Sequence, residues 1–508
     1  MLTVTNGEKH DWANMPLDEL VFGNAMDCDF TLRLYNLLSD ELKALESYHV
    51  YKKMLKDILP FMANLENNGL LVDVDYLNVM DRELKKEIET LDSHLKTLSP
   101  VDDINPNSTK DLGEVLFGAS GWGLTPTDFS AKTKSPSITE AHLKSFLKAG
   151  SKTPKEASDF IESLLAYKQK VKLHKTYVIG IKNALEYNDD GKIYSQYNFE
   201  GTVTGRLSCS AYSAGASKKK GVSFHTLPRV SSSDTLNIRN VVVADKKKAF
   251  ISADFSTAEL RVLAQCSRDP ELIKAFNEGM DLHKYTASLI YDKPMEKITK
   301  DERQVAKSVS FLIVYGGGPF KLAEQVGKSV GYCKSIFKAY QESFPKVFSW
   351  IKFVHKYIED NGKAVSLFGR TRNLTNVTSP SFKMKQRSLR QGMNFVIQSS
   401  ASDLMLHGIA RVMRTFKDLG VDADILATVH DSVEVQCPVD QIGKVSKILK
   451  EKLPCSKDYK TLYGLDFVVP FEVDIEVGKS FGDGIEAVFD NNNNLINERD
   501  IVNYVKTT

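Results

Sequence analysis

The segment ILATVHDSVEVQC, residues 425–437, constrains this chain more than any other. It is apolar and alternating on both sides of His430-Asp431. A period of two puts successive side chains on opposite faces of a pleated strand. A polar pair between two such runs marks a tight turn, so the segment reads as a hairpin with Asp431 at its turn. AFISADF, residues 249–255, is another apolar strand, ending near Asp254 and followed by a helix from Thr257. The intervening stretch 270–360 is almost entirely helical in pattern.

A carboxylate flanked by ISA and FS, or by ATVH and SVEV, is expected near a core, where a lone charge is costly. Two such groups together repel unless a cation lies between them. Two Mg²⁺ ions about 3.5–4 Å apart would resolve that conflict and serve in-line phosphoryl transfer. The plainer alternative is a pair of turn-forming aspartates, and Asp431 by itself does not separate the two.

Arg303, Lys307, Phe311 and Tyr315 stand at i, i+4, i+8 and i+12. Successive members are offset by about 40°, so all four line one helix face over about 18 Å. Thr299 and Glu302 form a capping box at its start, and Gly316 ends the helix. The order runs from cationic to aromatic, which suits a triphosphate against the cations and a sugar and base against the rings. An ordinary amphipathic helix would instead put the rings in the core; beside two aspartates the nucleotide reading is preferred. Ser256-Thr257-Ala258-Glu259 also has the form of a capping box, so Glu259 has a purely local explanation.

At 508 residues the chain exceeds one compact core, and two to four units are expected. No apolar run approaches 18 residues, which excludes a helical membrane span, and MLTVTNGEKHDW has no apolar signal core. The six cysteines are scattered without a CxxC pair and read as free thiols in a reducing cytoplasm. Net charge is only +2, but basic residues cluster at Lys168 to Lys175, at Lys218 to Lys220, and from Arg370 to Arg390. That distribution fits a grip on a polyanion, against the alternative of solvated helix faces. The histidines lack HExxH spacing, and GGGP at 316–319 follows a helix rather than preceding one, so neither a zinc hydrolase nor a phosphate-cradling loop is indicated.

Helical periodicity begins in DELVFGNAMDCDFTLRLYNLL; a second helical segment spans 50–66 and stops at Asn68-Gly69. A long helix follows with its apolar stripe at Leu77, Met80, Leu84, Ile88, Leu91, Leu95 and Leu98. Residues 119–138 look like loop, 154–188 like basic helix, and strands begin at KIYSQYNFEGTVTGRL. AVSLFGRTRNL reads as a hairpin-like excursion, 383–419 as one long helix or two, and 487–508 as a polar tail.

Four segments, TVTGRLS, ADFSTAELR, RQVAKSVSFLIVYGG and VHDSVEV, occur in this order, and with RQGMNFVIQ and LENNGLLVD they resemble family A DNA polymerases, the class of the bacterial repair polymerase and many phage replicases. The resemblance runs from about residue 12 to about residue 483. It implies an α+β right-hand fold: a remnant of an exonuclease-domain C-terminus at 1–45, a helical thumb at 46–185, an antiparallel palm at 186–262 and 391–508 with the polar tail, and helical fingers at 263–390. It implies addition of deoxynucleotides to a primer 3′ end by two-metal catalysis, with Mg²⁺ as cofactor and Mn²⁺ as a substitute.

The resemblance also implies roles. Asp254 and Asp431 would hold metal through their side chains and Phe255 through its carbonyl. Arg303 and Lys307 would hold the triphosphate, Lys307 also serving as general acid for pyrophosphate. His283 would contact phosphate. Phe311 would stack on the sugar, and Tyr315 and Glu259 would crowd its 2′ side. Arg206, Arg390, Asn394 and Gln398 would read duplex shape through minor-groove acceptors. His430 would touch the primer end. Primer–template DNA and deoxynucleoside triphosphates are the expected partners, with a separately encoded exonuclease subunit or processivity factor as a further candidate.

Three positions depart from the family pattern. Ser432 follows His-Asp where cellular relatives usually carry Glu, and His-Asp-Ser also occurs in single-subunit phage RNA polymerases. Leu312 stands where Gly is common. NAMDCDFTLRLY resembles the last exonuclease motif, with Gly23 in place of its Tyr, so Asp27 would be a ligand without a site. A ribonucleotide polymerase and a non-catalytic DNA-binding subunit are the alternatives; Glu259 and TGRLS oppose the first, and the two aspartates oppose the second.

Overall fold

The structure, a computed structural model, describes residues 14–45, 48–130, 133–148, 152–211, 221–228, 236–429, 431–454 and 456–507. His430, Cys455 and the Lys218 to Lys220 cluster lie outside the described residues. The centre is an eight-stranded sheet in which every pairing is antiparallel. Its strands are β1 (Leu70–Val72), β2 (Lys192–Ile193), β5 (Val242–Val243), β6 (Lys248–Phe255), β9 (Asp424–Val429), β10 (Ser432–Pro438), β11 (Val473–Ser480) and β12 (Asp483–Glu486). The order is β2-β1-β5-β11-β6-β10-β9, with β12 on β11. β3 (Ser195–Asn198) pairs with β4 (Ser208–Ala211), and β7 (Lys363–Val365) with β8 (Thr371–Asn373). The expected hairpins at 425–437 and in AVSLFGRTRNL are therefore formed.

The principal helices are α1 (Leu17–Ala44), α2 (Lys56–Asn68), α3 (Val74–Leu98), α4 (Lys155–Lys172), α5 (Ala258–Ser267), α6 (Leu282–Tyr291), α7 (Lys300–Val314), α8 (Pro345–Asn361), α9 (Phe382–Asp418), α10 (Ile442–Lys452) and α11 (Glu498–Thr507). Asp73 caps α3 by accepting from the Tyr76 amide at 2.9 Å. The α3 stripe is buried at Leu77, Met80, Leu84 and Leu95, packing on α4. α9 is a single helix of 37 residues. It is enclosed along most of its length, and Gly408 shows why: a Cβ there would stand 2.4 Å from the Leu453 carbonyl oxygen. No helix among the described residues is long and apolar enough to cross a membrane, and the described cysteines are free thiols.

At three places the structure departs from the sequence pattern or adds to it. Within the polar segment 487–508, α11 buries Ile501 and Val505 against the core. The Ser256-Thr257-Ala258-Glu259 capping box does not form: the start of α5 falls on Thr257, which takes a left-handed φ of 50° and makes no side-chain cap bond. Ser256, tied by its amide to the Glu472 carbonyl at 3.0 Å, holds the chain to the sheet up to that kink. Finally, β1 joins the central sheet through Leu71 opposite Val243.

Candidate active site

Sheet register brings the two aspartates together. Ser432 pairs with Asp254 across β10 and β6, and the Phe255 amide donates to the Asp431 carbonyl at 3.1 Å. Both carboxylates sit at strand ends rather than in the core: Asp254 is exposed and the Asp431 side chain is 34% exposed. The costly buried carboxylate of this sheet is Glu434, opposite Ser252 on the same face. Burial pushes its carboxyl up to about 7. Ser432, the position that departs from the family pattern, points its hydroxyl at Glu434 (2.6 Å) and at the Val429 carbonyl (2.9 Å). On the other side of β6, Asp474 pairs with Asp254 and Glu476 with Ser252, which adds two exposed carboxylates to that face.

Arg206 joins this cluster to the helices. Its Nη2 donates to Asp431 Oδ1 at 3.1 Å and to Glu259 Oε1 at 2.7 Å. Glu259 is 5% exposed, and burial raises its pKa despite the Arg206 charge. Tyr315 lies against Glu259 and Gln398; burial and the Glu259 charge push its phenol up to about 12. Glu259 is therefore spent on this network and not on a helix cap.

The stripe on α7 faces outward. Val305, Ala306, Val309, Leu312 and Ile313 are buried, while Lys307 and Tyr315 are exposed and Arg303 and Phe311 half-buried. The capping box of Thr299 and Glu302 is formed, and Gly316 takes a φ of 66°. Leu312, another of the departures, fills the space a Cβ at Gly317 would need, 2.3 Å away. Asp281 caps α6 by accepting from the His283 and Lys284 amides and also holds Arg303 Nε at 2.8 Å, which fixes α7 to α6. His283 packs its ring 5.9 Å from that of Phe311. Its Nδ1 is buried without a partner, and burial with Lys307 and Arg303 nearby lowers its pKa to about 4.

Arg390 is exposed and packs on Gly316, whose Cβ would lie 2.8 Å from its side chain. Asn394 and Gln398 follow on the same face of α9, half-buried, with Asn394 Oδ1 buried and unpartnered. The structure thus brings Asp254, Phe255, Asp431, Arg206, Glu259, Tyr315 and Gln398 into one connected region, with Arg303, Lys307, Phe311 and His283 along the adjoining helix face. Within the basic clusters, Lys168 donates to the Ile138 carbonyl, Lys170 pairs with Glu87, and Arg370 pairs with the buried Asp403 at 2.7 Å, so part of that charge is structural. Sequence reasoning missed Glu434, Asp474 and Asp403. The first two carry a legible signal, a carboxylate in a valine-rich alternation; Asp403 carries none, being one polar residue in a long helix.

The oxygen-only donor set of Asp254, Asp431 and the Phe255 carbonyl suits a hard divalent cation. Among the described residues no group of three or more His, Cys, Asp or Glu side chains is close enough to hold an ion by itself. The Arg206 guanidinium bridges Asp431 and Glu259, so positive charge already lies against the Asp431 carboxylate.

Residues 74–483 match the family described as DNA polymerase family A. DNA polymerase I of Borreliella burgdorferi is 28% identical over 481 residues, covering 94% of this chain and 49% of that protein. The DNA polymerase of Bacillus phage SP01 is 28% identical over 539 residues, covering 94% and 55%. The chain thus spans about half the length of the curated relatives it matches. The POL domain of Pol1 from M. smegmatis, solved in complex with DNA primer–template and dNTP, superposes with a TM-score of 0.77 at 26% identity, covering 89% of this chain and 74% of that one.

Proposed function

The chain belongs to DNA polymerase family A, and from that premise we propose that it is a template-directed polymerase adding deoxynucleotides to a primer 3′-hydroxyl. One observation carries the reading: Arg206 links Asp431 to Glu259, and Tyr315 stands against Glu259, so the exposed face of α7 continues into the carboxylates at the sheet. Asp254, Asp431 and the Phe255 carbonyl would hold the metal ions. When bound, two Mg²⁺ ions supply a more acidic primer hydroxyl and charge compensation on the triphosphate.

The chain's own groups account for the remainder. Arg303 and Lys307 bind the triphosphate. Neutral His283, kept unprotonated by its surroundings, offers a ring hydrogen to a phosphate oxygen. Phe311 receives the sugar. The primer 3′-hydroxyl gives its proton to solvent and its oxygen attacks the α-phosphorus; the bond from that phosphorus to the oxygen bridging to the β-phosphorus breaks, and Lys307 protonates the leaving pyrophosphate. Glu259 beneath Tyr315 closes the 2′ side, which favours deoxynucleotides over the ribonucleotide alternative. Arg390, Asn394 and Gln398 present polar groups to the duplex minor groove.

In this reading the thumb is drawn mainly from 46–185, the fingers from 263–390, and the palm from the central sheet. A replication role in a phage or bacterial cytoplasm, and an exonuclease or processivity partner, belong to the same proposal. Primer extension on a labelled template tests it. Extension is expected with deoxynucleotides and a divalent cation, and far less with ribonucleotides; no extension with any nucleotide set refutes the reading.

A further inference from the structure

We propose that Arg206 couples primer–template binding to metal binding: without DNA its guanidinium occupies Asp431, and duplex DNA draws it away and opens that carboxylate to a cation. The inference rests on the reading of Asp431 as a metal ligand and adds how that ligand is made available.

Three observations support a two-position side chain. First, a single nitrogen, Nη2, serves both Glu259 and Asp431, while Nε is buried without a partner. A guanidinium has five donors, so this pose wastes part of its capacity. Second, the backbone beneath it is fixed. Gly205 has a φ of 74° and is packed on Arg370, where a Cβ would lie 2.9 Å from the guanidinium. Ser402 Oγ donates to the Gly205 carbonyl at 3.0 Å, and Thr202 Oγ1 to the Arg206 carbonyl at 2.8 Å. The pivot is therefore rigid and only the side chain is left to move.

Third, the two cations exclude each other. Asp431 Oδ1 already accepts from Arg206, and a divalent ion on the same carboxylate would face the guanidinium at close range. Minor-groove acceptors, common to all base pairs, offer Arg206 an alternative partner. DNA then lowers the cost of metal entry, and by reciprocity metal raises the affinity for primer–template.

The test is Mn²⁺ binding without nucleotide, followed by the electron paramagnetic resonance of free Mn²⁺. Protein alone and protein saturated with primer–template are compared, with the DNA's own Mn²⁺ binding subtracted. In wild type, primer–template should tighten Mn²⁺ binding roughly 5- to 100-fold. Arg206→Gln keeps a donor for Glu259 but loses the charge; without DNA it should bind Mn²⁺ more tightly than wild type, with a smaller step on adding DNA. Arg206→Lys, which keeps a cation, should remain close to wild type. Melting temperatures confirm that the variants are folded. The proposal is overturned if Arg206→Gln binds Mn²⁺ no tighter than wild type without DNA and shows the full DNA step. Asp431→Asn separates the two levels: unchanged Mn²⁺ binding there removes the ligand assignment itself, whereas weakened binding with an unaltered Arg206→Gln removes only the coupling.

Discussion

Asp431 and Glu434 lie three residues apart on one hairpin and meet different environments. Asp431 stands at the turn, partly in water, with Arg206 on one oxygen. Asp431→Asn keeps an acceptor for Arg206 and should leave melting temperature and DNA binding nearly intact. Extension should fall about a thousandfold, which is ~4 kcal/mol of barrier; a loss under tenfold in single-turnover extension would remove Asp431 from the metal site. Glu434 is enclosed, and its pKa rises from 4.5 to about 7. A raised carboxyl contributes stability that is complete below its unfolded value and is lost as pH climbs through the folded one. Glu434→Gln, measured without divalent ions, should therefore gain stability over wild type as pH rises from 5 to 8, on the order of 3 kcal/mol at most. A gap independent of pH would show that Glu434 does not titrate. Glu259→Ala separates a third pair of roles. With the cap role gone, the ribonucleotide-to-deoxynucleotide incorporation ratio should rise roughly tenfold or more, equivalent to ~1.4 kcal/mol of discrimination. An unchanged ratio would mean that Glu259 only holds Arg206.

Local signals succeeded where one element's own bonds decide the outcome. The capping box at Thr299 and Glu302 formed because both partners lie within one helical turn and the neighbouring Lys293 takes the other Glu302 oxygen, Oε1. The similar string at Ser256 to Glu259 failed because sheet and site made rival claims: Ser256 stays bound to Glu472, and Glu259 is drawn to Arg206. Two terminal helices show the same limit. α1 carries large apolar residues yet buries only Ser39, whereas the polar-looking α11 packs Ile501 and Val505 into the core. Ile501→Ala should cost about 2–5 kcal/mol. Leu34→Ala, at a side chain 55% exposed, should stay within about 0.5 kcal/mol. Chemical denaturation of both variants checks the contrast, and equal costs would contradict it.

Three hydrophobic clusters support the chain. The largest joins the central sheet to α2 and to the helices from α5 to α11. A second backs β1, β2 and β5. A small third core, from Leu95 to Tyr167, lies among α3, α4 and the segments between them. Separate cores of unequal size favour sub-global opening. Hydrogen exchange should therefore show residues 95–167 losing protection before β6 and β10, and a single cooperative loss across all regions would contradict that order. The same division separates what the chain's letters determine from what only folding in space decides. Strand alternation, helix stripes and caps follow from neighbours a few residues apart. The hairpin around Asp431, the outward face of α7 and the resemblance carried by six segments were therefore legible. Strand order, the burial of Glu434 and the bridge from Arg206 to Asp431 join residues 53 to 225 positions apart or depend on what covers them. Such contacts form only once β6, β10 and the loop at Arg206 share one sheet end, because the energy that places them comes from packing between elements and not from any pattern within one.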